Sequence, residues 1–314
     1  MLKYRIAKKL RNIVLPGFDG IPIIKVFDFF LKGVVNGAIT TRASAISFSM
    51  FSALFPALIF VFTLIPFIPI DNFQEILLDL LHDVIPNKAW EAVEVTLTDI
   101  ITRPRGGLLS LGFILALFFS TNGINSLIDA FNASYHTMEN RGILMQRWVA
   151  IVLVLLLFLL LIVAISTITL STNFFEYLDS QDTIIDDYVI TMIQWIRWVV
   201  MIALTYFSIS FIYYWGPAKK TPFKFFSAGS SLTTIFMMVS NVGFNFYANN
   251  LARYNALYGS IGTLLLILLW VYFNSIIVLI GFELNVSILS AKLKTNPHRK
   301  QIDDNKSTHN TQSK

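Results

Sequence analysis

The strongest constraint on the fold is a single apolar run, Ile261–Phe282, whose only polar interruptions are one Thr, one Asn and one Ser. A helix rises about 1.5 Å per residue, so a run of this length crosses the roughly 30 Å hydrocarbon layer of a bilayer. The nearest charge, Glu283, follows immediately after the run. We therefore predict a transmembrane helix over residues 258–285.

Composition extends this prediction to the whole chain. The protein is 55% hydrophobic and 14% charged, whereas soluble domains carry roughly one quarter charged residues. The apolar runs are continuous rather than alternating, which favours helices over an outer-membrane barrel. The chain has no cysteine, so disulfides, thiol catalysis and thiolate metal ligands are excluded.

We accordingly predict an all-α integral membrane protein with six transmembrane helices, amphipathic surface helices and an outer helical hairpin. The predicted spans are about 43–69, 106–130, 148–170, 191–215, 225–249 and 258–285. Residues 1–42 form a basic amphipathic segment, the acidic stretch 71–102 forms the hairpin, and residues 291–314 form a disordered tail after the 43–290 membrane domain. Pro56 should kink the first span, because proline removes a helical hydrogen bond.

The distribution of basic residues sets the predicted orientation. The segments before span one, between spans two and three, between spans four and five, and after span six hold 19 of the 24 Lys and Arg. By the positive-inside rule these segments are cytoplasmic. The sequence thus predicts a multi-pass protein of the bacterial inner membrane, with both termini in the cytoplasm and anionic lipids as partners of its cytoplasmic face.

Polar residues recur at helical spacing in the fifth span, so they share one side of that helix. Lipid offers them no hydrogen bonds, and we expect this stripe to face neighbouring helices or a wet cavity. The candidate polar path comprises Asn122, Asn125, Ser231, Thr234, Asn241, Asn245 and Asn274. The alternative is that these side chains only hold helices together.

Three charges fall at one depth in the predicted topology. Arg42 begins span one at the cytoplasmic boundary, while Asp129 and Glu283 end spans two and six there. Because a carboxylate near lipid is costly unless it is paired or hydrated, these residues are candidates for one ionic cluster. The alternative is that each side chain reaches interfacial water separately.

Few other chemistries are supported. The four histidines are scattered, no glycine-rich phosphate loop occurs, and no aromatic platform accompanies the basic residues. We therefore predict no catalytic residues, no metal, no cofactor and no nucleic-acid partner. Whether the protein forms a homo-oligomer is left open by the sequence.

Two stretches resemble the YihY/BrkB family of bacterial inner-membrane proteins. They are RASAISFSMFSALFP at residues 42–56 and LYGSIGTLLLILLWVYFNSIIVLIGFELN at residues 257–285. The resemblance implies six spans with both ends in the cytoplasm. Some members were labelled ribonuclease BN, which this sequence does not support, and others are linked to serum resistance or envelope lipid phenotypes.

These observations lead to a first hypothesis, a transporter or flippase-like exporter of an amphiphile or anionic solute without its own ATPase. The alternative is a structural or scaffold protein of the envelope. A membrane-embedded hydrolase is the third hypothesis. The sequence offers no candidate catalytic residues for it.

The uneven distribution of basic residues makes the topology testable with reporter fusions. Fusions expected to report cytoplasm are those at Leu10, Gln146, Lys220 and Lys294. Fusions expected to report the outside are those at Asp83, Asp182 and Arg253. Reversal of any one loop would contradict the six-span topology.

Overall fold

The computed structural model describes residues 14, 17–67, 74–75, 77–78, 82, 87–134, 141–180, 187–218, 226–250 and 260–295. Within these residues all regular structure is helical. The helices with defined bounds are α1 (Ile23–Asn36), α2 (Ile39–Leu64), α3 (Asn87–Thr102), α4 (Gly106–Asn132), α5 (Ile143–Ser180), α6 (Asp187–Trp215), α7 (Ala228–Asn250) and α8 (Ser260–Thr295). A 3₁₀ turn, Ile65–Phe67, continues α2.

Five segments in the described part of the chain are long and apolar enough to cross a membrane, which confirms the helical membrane class. They are Ile39–Phe67, Gly106–Asn132, Ile143–Thr167, Gln194–Trp215 and Leu264–Lys294. Helix α7 has 23 residues and is therefore about 35 Å long, but its polar residues keep it outside this group. A sixth span at α7 thus stays a prediction.

The outer surfaces of these helices are apolar. On α5, for example, Leu155, Phe158 and Leu159 are each more than half exposed. A contiguous surface of this kind is the solvent boundary expected in a bilayer and an aggregation hazard in water. Residues 148–165 of α5 are uniformly apolar, as expected of a surface that faces lipid.

Antiparallel packing of α2 with α4 and α8 forms the centre of the bundle. Gly112 lies against the backbone of Phe60, and Gly123 lies against Met50, so α4 approaches α2 closely at two levels. Toward one end, the ring of Phe131 stacks on that of Phe282 at 4.1 Å between centroids. We call this the Arg42 end of the bundle, because Arg42, near the beginning of α2, contacts Ala130 and Glu283, which are next to these two residues in the chain.

Helices α7 and α8 cross most closely at Gly229 and Gly281. A Cβ atom added to Gly229 would lie 2.1 Å from the carbonyl oxygen of Gly281. The amide of Gly229 donates to Asn285 Oδ1 at 2.8 Å. From α6, the hydroxyl of Tyr213 contacts Thr233 Oγ1 and donates to the carbonyl of Val278, each at 2.6 Å. These contacts fix the beginning of α7 between α6 and α8.

The end of α8 differs from the predicted boundary. The helix continues to Thr295, so residues 291–295 are helical rather than part of a disordered tail. Ala291 is buried in a cluster with Phe18 and Val26, and Lys292 pairs with Asp19 at 2.7 Å. This packing against the loop before α1 stabilises the extra turn. The rest of the predicted tail and the basic residues 1–13 lie outside the described residues.

Other predicted elements have partial counterparts. Helix α3 corresponds to the second helix of the predicted outer hairpin, while most of the first lies outside the described residues. Pro56 is inside α2 and buried, and the kink itself stays a prediction.

The α7–α8 crossing can be tested with two glycines of the same helix. Gly229→Ala should destabilise the protein by about 1–3 kcal/mol, because the added methyl collides with a backbone carbonyl. Gly243 has nothing within 4 Å of an added Cβ, so Gly243→Ala should be neutral or stabilising by up to about 1 kcal/mol. Thermal unfolding in detergent would compare them. Equal changes in thermal stability for the two substitutions would show that α7 and α8 are not in close contact at Gly229.

Candidate functional site

The side chain of Arg42 connects the helices that meet at the Arg42 end. It is 12% exposed, and its Nη1 donates to the carbonyl oxygen of Ala130 and to Ser134 Oγ, both at 2.7 Å. Ala130 lies in the last turn of α4, where helical carbonyls have no intrahelical donor. A cation at this position also interacts favourably with the helix dipole. Arg42 therefore caps α4 while belonging to α2.

Glu283 of α8 supplies the opposite charge. Its Oε2 lies 4.0 Å from Arg42 Nη2, and its side chain is 7% exposed. This separation is too long for a hydrogen bond but short enough for a strong electrostatic attraction at low dielectric. The pair therefore joins α2 to α8 through charge rather than through a direct hydrogen bond.

The guanidinium of Arg42 retains unused donors. Its Nε and Nη2 are buried and have no hydrogen-bond partner among the described residues. Buried donors without acceptors are costly, and more so on a charged group. Each of these donors is thus a group that an acceptor within reach would satisfy.

Gly33 of α1 and Gly37, which follows the end of α1, make room for the pair. A Cβ atom on Gly33 would lie 1.9 Å from Glu283 Oε1, and one on Gly37 would lie 2.7 Å from Arg42 Nη2. The backbone of α1 thus packs directly on both charged groups. Sequence reasoning missed this contact, although the spacing of two glycines four residues apart is a known signal of close helix packing.

Asp129, the third predicted member of the charge cluster, lies apart from the pair. It is exposed and accepts a hydrogen bond from Gln146 Nε2 at 2.8 Å. It immediately precedes Ala130, and successive helical residues point about 100° apart. The structure therefore brings Arg42 and Glu283 together and directs Asp129 toward α5.

The predicted path residues of α4 have different surroundings. Asn122 Oδ1 accepts from Arg147 Nη1 at 2.5 Å, and the same guanidinium lies 4.8 Å from the ring centroid of Phe118. Asn125 is half-buried, and its Oδ1 has no hydrogen-bond partner within the described part of the chain. These contacts tie α4 to the beginning of α5.

The polar stripe of α7 does not turn inward as one unit. Thr234 is buried and bonds the carbonyl of Ser230, whereas Ser231, Asn241 and Asn245 are exposed. The close contact at Gly229 decides this orientation, because it turns the side of α7 that carries Ser230 and Thr233 toward α6 and α8. The other polar residues consequently lie at the edge of the interface.

These residues continue onto α8. Trp270 Nε1 donates to Asn241 Oδ1 at 3.1 Å, and Asn274 Nδ2 donates to the carbonyl of Trp270 at 2.8 Å. We call this surface the polar seam and define it as Ser231, Asn241, Asn245, Trp270 and Asn274. From Ser231 to Asn245 it follows α7 for about 21 Å.

A second arginine holds the neighbouring helix end. Arg141 donates to the carbonyls of Trp215 and Gly216 at 3.0 and 3.2 Å, and to that of Pro217 at 2.6 Å. Burial lowers the pKa of this guanidinium, but arginine stays protonated at physiological pH. Arg141 thus caps α6 as Arg42 caps α4.

Comparison with known proteins identifies the family. The family model described as virulence factor BrkB matches residues 30–303. This range includes Arg42, Glu283, Gly33, Gly37 and the polar seam. The chain belongs to the BrkB family. This confirms the resemblance drawn from the terminal motifs.

Similar bacterial proteins cover most of the BrkB-family chain. The ribonuclease-like protein YfkH of Bacillus subtilis (strain 168) is 28% identical over 80% of this chain and 90% of its own length. A UPF0761 membrane protein of Vibrio campbellii is 21% identical over 84% of this chain and 82% of its own. A third, from Haemophilus influenzae, is 22% identical over 81% of this chain and 91% of its own. No solved structure matches the chain.

A double-mutant cycle would measure the charge pair. Arg42→Gln and Glu283→Gln should each cost about 3–5 kcal/mol, since each strands a buried charge. Their effects should be non-additive by about 0.5–3 kcal/mol in thermal unfolding in detergent.

Asp129→Asn provides the control for this cycle. It should add independently to Arg42→Gln and should instead couple weakly with Gln146→Ala. Coupling of Arg42 to Asp129 but not to Glu283 would show that the pair belongs to α2 and α4.

Proposed function

We propose that this BrkB-family protein is a flippase-like exporter that moves an amphiphile with a polar, anionic headgroup across the bacterial inner membrane. The observation that carries this proposal is the polar seam, which lies exposed along the α7–α8 interface. The proposal includes no catalytic step and no ATPase of the chain's own.

The exposure of the seam favours an amphiphile over a free solute. A path for a free solute would enclose its polar residues, whereas Asn241 and Asn245 face outward between apolar neighbours such as Val239 and Val242. Asn241 Oδ1 accepts from Trp270, and hydrocarbon offers no acceptor to the amide nitrogen of Asn241. A headgroup that travels along the seam would accept from that nitrogen while its tails stay in the lipid.

The topology that this function needs adds α7, the fifth span in chain order, to the five apolar segments, which makes six spans. Its length suffices, and its contacts support an antiparallel pairing with α8, since Gly229 meets Asn285 and Asn241 meets Trp270. Six spans place both termini on the side rich in basic residues, which is the cytoplasm by the positive-inside rule.

The Arg42 end would then lie at the cytoplasmic end of the seam. Gly229 and Ser231 lie near the level of Gly281, two residues before Glu283 on α8. The two unused donors of Arg42 suit an anionic headgroup, for which arginine is a preferred partner. We propose that the Arg42–Glu283 pair gates entry, and that a headgroup competes with Glu283 for the guanidinium.

A scaffold role is the second candidate, and the same seam supports it. A second copy that covered this part of the seam would accept from the amide nitrogen of Asn241 without any transport.

The reactivity of single introduced cysteines would show whether water reaches the polar seam. The native chain has none, so a water-soluble thiol reagent would report only the introduced residue. Cysteines at Ser231, Asn241 and Asn245 should react, because a headgroup path contains water. Val242 is 73% exposed, yet Val242→Cys should stay inert, because a thiol in lipid does not ionise.

Lipid transport in reconstituted vesicles completes this test. Asn241→Leu with Asn245→Leu should slow the movement of a headgroup-labelled anionic lipid, and Val239→Leu with Val242→Leu should not. A different result would be seam cysteines that fail to react with the water-soluble reagent and yet crosslink one chain to another. This result would support the scaffold and contradict the exporter.

A further inference from the structure

Helix α1 carries three stripes of different chemistry. The inner stripe packs on α8 and consists of Ile23, Val26, Gly33 and Val34. The outer apolar stripe is exposed and consists of Ile24, Phe27, Leu31 and Val35. The polar stripe is exposed and consists of Lys25, Asp28 and Lys32.

Helical geometry sets these stripes side by side. Members of the outer apolar stripe and of the polar stripe recur every three or four residues, so each set shares one side of the helix. Leu31 and Lys32 are consecutive, and consecutive residues differ by about 100° around the axis. The circumference of α1 is therefore divided among protein, an exposed apolar strip and an exposed charged strip.

The connection to α2 fixes the level of α1. Only Gly37 and Ala38 separate the two helices, and Ala38 has a left-handed backbone with φ of 46°. Helix α2 begins at Ile39 and is one of the segments able to cross a membrane. At the other end of α1, Asp19 pairs with Lys292 of α8. Both ends of α1 are thus fixed at the boundary of the membrane domain.

We infer that α1 lies along the line where protein, lipid and water meet, with its outer apolar stripe inserted at the lipid headgroup boundary. The occupant of this stripe is the bilayer itself. This inference concerns a lipid contact and does not depend on the proposed transport.

Exposure and charge both favour lipid as the occupant. Val35 is 76% exposed and Phe27 is 55% exposed, which is unfavourable in water but normal at a headgroup boundary. The helix that follows, α2, also carries exposed apolar residues, among them Phe48, which is 70% exposed. Beside the stripe, Lys32 forms an exposed pair with Asp28 at 2.9 Å, and lysines at this level can extend toward lipid phosphates.

The full chain in vesicles of phosphatidylethanolamine and phosphatidylglycerol provides the test. Single cysteines at Leu31, Val35 and the adjacent Lys32 would carry a small environment-sensitive fluorophore. Two quenchers would be compared, iodide on both sides of the membrane and a lipid with a nitroxide near its headgroup. All three positions are exposed, so labelling leaves the packing of α1 on α8 intact.

We expect the nitroxide lipid to quench labels at Leu31 and Val35, and iodide to quench the label at Lys32 several-fold more strongly than either. Iodide quenching at Leu31 and Val35 equal to that at Lys32 would place the stripe in water and overturn the inference. Protection of Leu31 and Val35 from both quenchers would also overturn it, since a second copy would then cover the stripe. Phe27→Cys gives an independent reading of the same stripe.

Discussion

A buried charge needs a partner, and this requirement organises one end of the BrkB-family bundle. Arg42 and Glu283 lie on helices far apart in the chain, and removing either would strand the other at a cost of about 3–5 kcal/mol. The carbonyl of Ala130 accepts from the guanidinium, and Gly33 gives space to the carboxylate. Four helices, α1, α2, α4 and α8, therefore meet at one ion pair.

Elsewhere the bundle depends on close backbone approach. Lipid tails are as apolar as leucine, so helices in a bilayer gain little from burying apolar surface against each other. Gly112 and Gly123 instead let α4 approach α2, and Gly229 with Gly281 lets α7 approach α8. These contacts bring polar groups such as Tyr213 within reach of neighbouring carbonyls. The protein thereby supplies hydrogen bonds that lipid cannot offer.

The sequence predicted the position of helices and charges along the membrane normal. It did not predict how the helices rotate and pack against one another. Continuous apolar runs located five membrane-spanning helices, and connectivity set Arg42, Asp129 and Glu283 near one level. Which carboxylate meets Arg42 depends on the rotation of α4, which directs Asp129 outward and the carbonyl of the next residue, Ala130, toward α2. The extension of α8 past residue 290 likewise depends on contacts with Phe18 and Val26, which are remote in sequence.

Helix α7 shows how the same physics can support movement. Near its beginning, Gly229 meets Asn285 and Thr233 meets Tyr213. Further along, the pair of Asn241 with Trp270 lies exposed at the edge of the interface. If another polar group replaced this pair, α7 and α8 could separate there without leaving either side chain unbonded in lipid. A headgroup in the polar seam would supply that replacement, so the polarity that makes α7 a poor span by composition is what the proposed function requires of it.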